Sequence, residues 1–373
     1  MVDFGTRIRC SLGSGIIKIS KITIEELRVM AINQSLFSPL PLKSAIAKLG
    51  FVQADPIRAP ARAQDLILRH RAKDYLAGDL DRRYNTLDIE EDYLYAYGFL
   101  PRQNWQLLHP RHSANLTKQE KTVMALARRA RVHPRDLEEH LGSERTVNAW
   151  GGYSKVSTRI LESLHFRGLL RIAHRQDGIK VYEIAPVSNQ HLSADERAEQ
   201  LVMLIAKILS PISESALRST IRHLRYSAPT VTHGATNITK LLENGQLTSA
   251  QCDDVKYVFP TGARSKRSEA PDTVRFLAPF DPVVWDRKRF EHLWGWAYRF
   301  EAYTPPPKRK MGYYALPMLW QDRIIGWVNV SVTNGKVKTD AGYVDPKPKR
   351  DAIFRAGLND EVERITQFLS LSI

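Results

Sequence analysis

The chain has 373 residues, 43% of them hydrophobic, with 55 lysines and arginines against 40 aspartates and glutamates, a formal net charge of +15. That is enough apolar material for more than one packed unit, and the basic excess favours a polyanionic partner, nucleic acid before membrane. With Cys10 and Cys252 alone there is neither a disulfide framework nor a cysteine-rich zinc site; no apolar run reaches the ~20 residues of a membrane span, and the N-terminus MVDFGTRIRCSLGSG lacks a signal-peptide core.

Three capping boxes, Ser or Thr followed three residues later by Glu, punctuate the chain at Thr23/Glu26, Thr117/Glu120 and Ser193/Glu196. The first opens a predicted helix at Thr23–Asn33, followed by a helix at Leu42–Leu49 and a short apolar strand at Phe51–Asp55. Ala61–His112, rich in Arg and Tyr, reads as helical, with Tyr93, Tyr95 and Tyr97 as packing residues. The second box opens an amphipathic helix over Lys118–Arg131 through Val123, Leu126 and Ala127. His133-Pro134 restarts the chain for a short helix ending at Gly142, and a third helix runs from about Ser154 to Phe166. Two alternating runs around Asp177-Gly178 then predict a hairpin. Three helices and a hairpin form the winged-helix pattern, a helix-turn-helix variant. The third box opens Ala194–Leu209, followed by helices at Ser213–Leu224 and Asn237–Asn244 and a strand at Lys256–Phe259. Pro260–Ser268 reads as a linker. Beyond Pro271, strands are expected at Thr273–Pro279, Ala302–Thr304, Gly312–Leu319, Ile324–Thr333 and Lys336–Thr339, with a turn at Asn334-Gly335 and a final helix at Asp351–Leu369.

The expected fold class is α+β: three tandem winged-helix modules at 20–60, 116–190 and 191–270, a helical connector at 61–115, and a C-terminal antiparallel β-sheet or barrel at 271–373. On the first strand, Gln53 and Asp55 share a face because strand side chains alternate. An amide and a carboxylate so placed can hold one water between them; equally, Asp55-Pro56 is a good turn. No phosphate-binding glycine loop, Gly-x-Ser-x-Gly or His-Glu-x-x-His is present, and His109 and His112 read as a loop pair without a third ligand. No metal or cofactor is therefore expected. Arg128, Arg129, Arg131 and Arg135 cluster in the middle module. Lys308, Arg309 and Lys310 follow three prolines and precede Gly312-Tyr313-Tyr314, which suits either a loop projecting toward phosphates and a base or a solvated turn.

Several longer blocks resemble a known family: Phe51-Val-Gln-Ala-Asp-Pro56 with Arg62-Ala63, Leu100-Pro101, His109-Pro110-Arg111, Phe280-Asp-Pro-Val-Val-Trp-Asp-Arg287, Tyr303-Thr-Pro with Lys308-Arg309, and Gly312-Tyr-Tyr-Ala-Leu-Pro317. From about Thr23 to Phe368 the sequence is similar to winged-helix DNA glycosylases of the YcaQ/AlkZ type. The resemblance implies three tandem winged helices with a C-terminal β-barrel, and excision of N7-alkylated guanines with unhooking of interstrand crosslinks. It further implies a catalytic Gln-x-Asp pair, matched here by Gln53 and Asp55. Arg58 stands where family members often have Asn or a small polar residue, which leaves the substrate range open. The expected DNA-binding residues are Arg58, Arg62, Arg128, Arg129, Arg131, Lys308, Arg309, Lys310, Tyr313 and Tyr314. The expected partner is double-stranded DNA with alkylated or crosslinked bases, bound by a monomer in the cytoplasm at the nucleoid. A cationic alkylguanine leaves without a general acid, so Asp55 would stabilise the oxocarbenium-like sugar and take a proton from water held by Gln53. No lysine stands in the motif to form a Schiff base. The rival readings are a non-catalytic tandem winged-helix transcriptional regulator and an RNA-binding protein that stacks bases on its tyrosines.

Overall fold

The computed structural model describes residues 20–371 except 112–114, 143, 148–152, 187–191, 230–233, 264–271 and 346. His112 and most of the expected linker lie outside the described residues. All three capping boxes close reciprocally, as at Thr23, whose hydroxyl accepts the Glu26 N–H at 3.2 Å while Glu26 accepts the Thr23 N–H at 2.9 Å. They start the helices Ile24–Ser35, Lys118–Ala127 and Ala194–Ile208.

The middle region follows the expected order. After Lys118–Ala127 come the short helices Pro134–Leu137 and Glu138–Leu141, the helix Val156–Phe166, and the hairpin Leu170–Gln176/Ile179–Ile184. Asp177 and Gly178 both take positive φ (52° and 79°), the conformation a two-residue hairpin turn needs. Val123, Leu137, Leu161, Leu164, Ile172 and Tyr182 form a core of its own. The following region packs helices Ala194–Ile208, Glu214–Ser227 and Gly234–Glu243 against the hairpin Leu247–Cys252/Val255–Pro260. Ile212–Ser213 pairs with one edge of that hairpin, and Ser20–Lys21 runs parallel to the other. The first helix consequently packs here, with Leu27, Met30 and Ala31 against Tyr257, Phe259 and Leu293. The stretch expected as one module at 20–60 is thus divided between two neighbourhoods.

The stretch expected as a helical connector at 61–115 is corrected. It holds the antiparallel hairpin Ile89–Tyr93/Tyr97–Pro101, whose second strand also pairs with Val52–Gln53. Its Glu90, Glu91 and Asp92 are all buried. Each carboxylate has a cation: Arg102 and Arg171 for Glu90, Arg175 for Glu91, Arg111 for Asp92. Arg171 and Arg175 come from the middle hairpin, so the buried acids also join two regions.

The C-terminal part is an open four-stranded antiparallel sheet in the order Val274–Phe276, Leu316–Trp320, Arg323–Thr333, Lys336–Tyr343, not a closed barrel. Asn334 and Gly335 make its tight turn with φ of 50° and 72°, the positive values a two-residue hairpin turn needs. Ala302–Thr304 is a turn and not a strand, since three following prolines offer no N–H for a ladder. The final helix Ala352–Phe368 is capped by Asp351. Val52, Leu66 and Leu68 share one core with Phe276, Leu316, Val328 and Phe354, so the Gln53–Asp55 segment is anchored to the C-terminal sheet.

Candidate active site

The site begins with a close backbone approach. A Cβ on Gly98 would lie 2.3 Å from the Val52 carbonyl oxygen, so only glycine lets the Val52–Gln53 strand lie flat on its partner. Gln53 pairs with Gly98, and the Ala54 N–H donates to the Tyr97 carbonyl at 2.9 Å, extending the ladder beyond Gln53. Val52 is buried in the core, Gln53 is half-buried beside it, and Asp55 lies two residues on, past the end of the Val52–Gln53 strand.

Asp55 serves the turn and leaves one oxygen over. Its Oδ1 accepts the Ile57 N–H at 2.9 Å, closing an Asx turn across Pro56. Its own N–H donates to Oε1 of buried Gln64 at 3.4 Å. Oδ2 has no partner among the described residues. Burial raises the Asp55 carboxyl above its ordinary value, with the Ile57 N–H opposing. Gln53 Oε1 is buried and likewise unpartnered, as is the hydroxyl of Tyr314. Buried polar atoms without partners are uncommon and call for a reason. A half-free carboxylate can accept a proton from a water.

The loop beside it is organised by a residue that sequence reasoning missed. Buried Glu301 accepts the N–H groups of Lys310, Met311 and Gly312 at 2.9, 2.8 and 3.3 Å. Gly312 has φ 116°, and a Cβ there would strike the Asn329 side chain. Arg309 donates to the Thr304 carbonyl at 2.8 Å and lies over the Tyr313 ring at 5.1 Å. Lys308 and Lys310 are exposed, and Tyr303 is 80% exposed. A lone glutamate ahead of a proline run gives no local signal, and neither does Gln64.

The expected DNA-contact residues divide. Arg58, Arg128 and Arg129 are exposed, with no ion pair among the described residues. Arg131 is exposed but bonded to Glu183 at 2.9 Å. Arg62 is committed to Asp65 and Asp81. Tyr314 is corrected: at 2% exposure, packed perpendicular to Phe300 at 5.2 Å, it offers no face for a base. His109, expected in a loop pair, is buried 3.4 Å from Asp92. Cys252, Asp253 and His292 lie close enough together to share an ion, but both His292 nitrogens are already engaged, by the Tyr257 hydroxyl at 2.7 Å and Asp253 at 3.1 Å.

The chain belongs to the DNA glycosylase AlkZ-like family, whose model matches residues 46–368. Its fold is similar to that of the Streptomyces sahachiroi DNA glycosylase AlkZ, with a TM-score of 0.61 and 12% identity over 94% of this chain and 98% of that one. The protein is thus a DNA-repair enzyme that hydrolyses N-glycosyl bonds, which sets aside the regulator and RNA-binding readings. No helix among the described residues is long and apolar enough to cross a membrane.

Proposed function

We propose that the enzyme excises N7-alkylated guanine from duplex DNA, by water attack governed by Asp55 and Gln53, and unhooks crosslinks through the same chemistry. The observation that carries this reading is the Asp55 carboxylate, half used by its own turn and half free, two residues from the unpaired Gln53 Oε1. N7-alkylation makes guanine cationic, so its bond to C1′ breaks without protonation of the base. Asp55 stabilises the developing positive sugar and takes a proton from the water that adds to C1′. No lysine shares the strand with Asp55, which favours simple hydrolysis without strand cleavage.

We read the helix-and-hairpin units as three winged-helix modules acting in one monomer at the nucleoid. The test is release of free N7-methylguanine from methylated duplex DNA, leaving alkali-labile abasic sites. No release, with tight binding to one DNA sequence, would refute the reading.

Arg58, Arg128, Arg129, Lys308 and Lys310 are the side chains proposed to meet phosphates. If about three of them do so at once, each phosphate neutralised contributes a salt slope near −0.9. Affinity for duplex DNA is then expected to fall roughly fortyfold between ~50 and ~200 mM salt. Titration of a fluorescent duplex at the two salt concentrations checks this, and a change under about twofold would remove these residues from the DNA surface.

A further inference from the structure

Tyr314 sits in the same apolar cluster as Ala54, which precedes Asp55, and Ile57, whose N–H Asp55 accepts, and its ring is fixed by Phe300. Its hydroxyl is buried and finds no partner among the described residues. Buried Tyr298 donates to the Ala315 carbonyl at 2.8 Å and buried Tyr75 to Asp65 at 2.7 Å, whereas the hydroxyl of Tyr84, in the same cluster as Tyr314, also lacks a side-chain partner among the described residues. Burial, and after it the charge of Asp55, raises the Tyr314 phenol, so the group stays a neutral donor that lies within electrostatic reach of that carboxylate. Among the described residues, two acceptors, Asp55 Oδ2 and Gln53 Oε1, and one donor, the Tyr314 hydroxyl, thus lack partners, and Tyr314 and Asp55 interact.

We propose that the Tyr314 hydroxyl positions the attacking water, with Asp55 and Gln53 Oε1 as the acceptors of its two hydrogens. A water so held donates twice and accepts once, which leaves one lone pair for C1′. As the C1′–N9 bond breaks, its electron pair leaves with the base and cancels the N7 charge. The new C1′–O bond forms from the water, and the released proton goes to Asp55. The inference rests on the reading of Asp55 as the base, and it gives Tyr314 a role in place of base stacking.

The test is Tyr314→Phe, which keeps the ring and removes only the hydroxyl. The single-turnover rate of N7-methylguanine release should drop roughly tenfold across the pH plateau, the scale of one hydrogen bond made at the transition state. The acid limb of the pH profile and the affinity for lesion DNA should stay in place. Melting temperature should hold or rise, because removing an unsatisfied buried hydroxyl relieves the fold. A normal rate in Tyr314→Phe alongside an inactive Asp55→Asn would overturn the Tyr314 assignment alone. A lowered melting temperature would also overturn it, by showing the hydroxyl to be structural. Full activity in Asp55→Asn would instead remove the underlying reading of the base.

Discussion

Asp55→Asn is expected to slow single-turnover release of N7-methylguanine by roughly 10²-fold or more, the scale for losing a general base that also stabilises developing charge. The substitution is unusually clean here. Asn keeps an Oδ1 that can accept the Ile57 N–H, so the Asx turn across Pro56 survives. What disappears is the negative charge and the basic oxygen. Lesion-DNA affinity should stay nearly unchanged, since the exposed cations are elsewhere. The pH dependence has a definite sign. The active form is the carboxylate, and burial raises its pKa above the ordinary aspartate value of 3.8, so the wild-type rate falls as pH drops through that raised value. The Asn variant should lack this limb. Gln53→Ala should lose less, because the other groups still hold the water. A well-folded Asp55→Asn protein, judged by thermal melting, that releases base at near-normal rates would sink the assignment.

The sequence exposes what is local. Thr23, Thr117 and Ser193 announce helix starts because both halves of each box lie within three residues. Asp177-Gly178 and Asn334-Gly335 announce turns because positive φ has a short list of residues. Gln53 and Asp55 stand out for a local reason too, the alternation expected of a strand, although the strand itself ends at Gln53. The hidden features all depend on distant partners. Glu90, Glu91 and Asp92 are buried only because arginines from residues 102–175 pair with them. Ser20–Lys21 finds its strand partner at Ala250–Gln251.

Net charge misleads in the same way. Arg111 is wholly buried and binds Asp92 together with the carbonyls of Tyr93, Phe166 and Ser227, tying three regions into one body. Arg289 does the same for the carbonyls of Leu209, Pro211, Pro282 and Val283. Such arginines enter the total of +15 but offer nothing to DNA. The phosphate surface is smaller than composition suggests, and the salt dependence should report only its exposed members.

Asp281→Ala is expected to destabilise the protein by about 3–5 kcal/mol, the usual consequence of leaving a buried charge unpaired. Asp281 and Arg71 are both fully buried and meet in a two-pronged contact at 2.8 and 2.9 Å. Arg71 also donates to the carbonyls of Ser35 and Ile67, each at 2.7 Å, and Asp281 Oδ1 accepts the Val283 N–H at 3.0 Å. The pair joins the segment after the Ala63–Leu68 helix to the Phe280–Arg287 stretch. That stretch carried much of the family resemblance, and its aspartate is here a brace. Beside it, Phe280 packs on Phe300 at 5.1 Å, and Phe300 fixes the Tyr314 ring, so the brace also supports the site. Alanine would strand the guanidinium among carbonyls with no compensating charge. The denaturation midpoint in urea should fall while the slope of the transition holds. Arg71→Met combined with Asp281→Leu should recover much of the loss, because neither charge is then stranded. Breaking the exposed Arg323–Asp345 pair with Arg323→Ala should cost about 1 kcal/mol or less by comparison. If Asp281→Ala shifts stability no more than that surface control, Arg71 is reached by water and does not brace the fold.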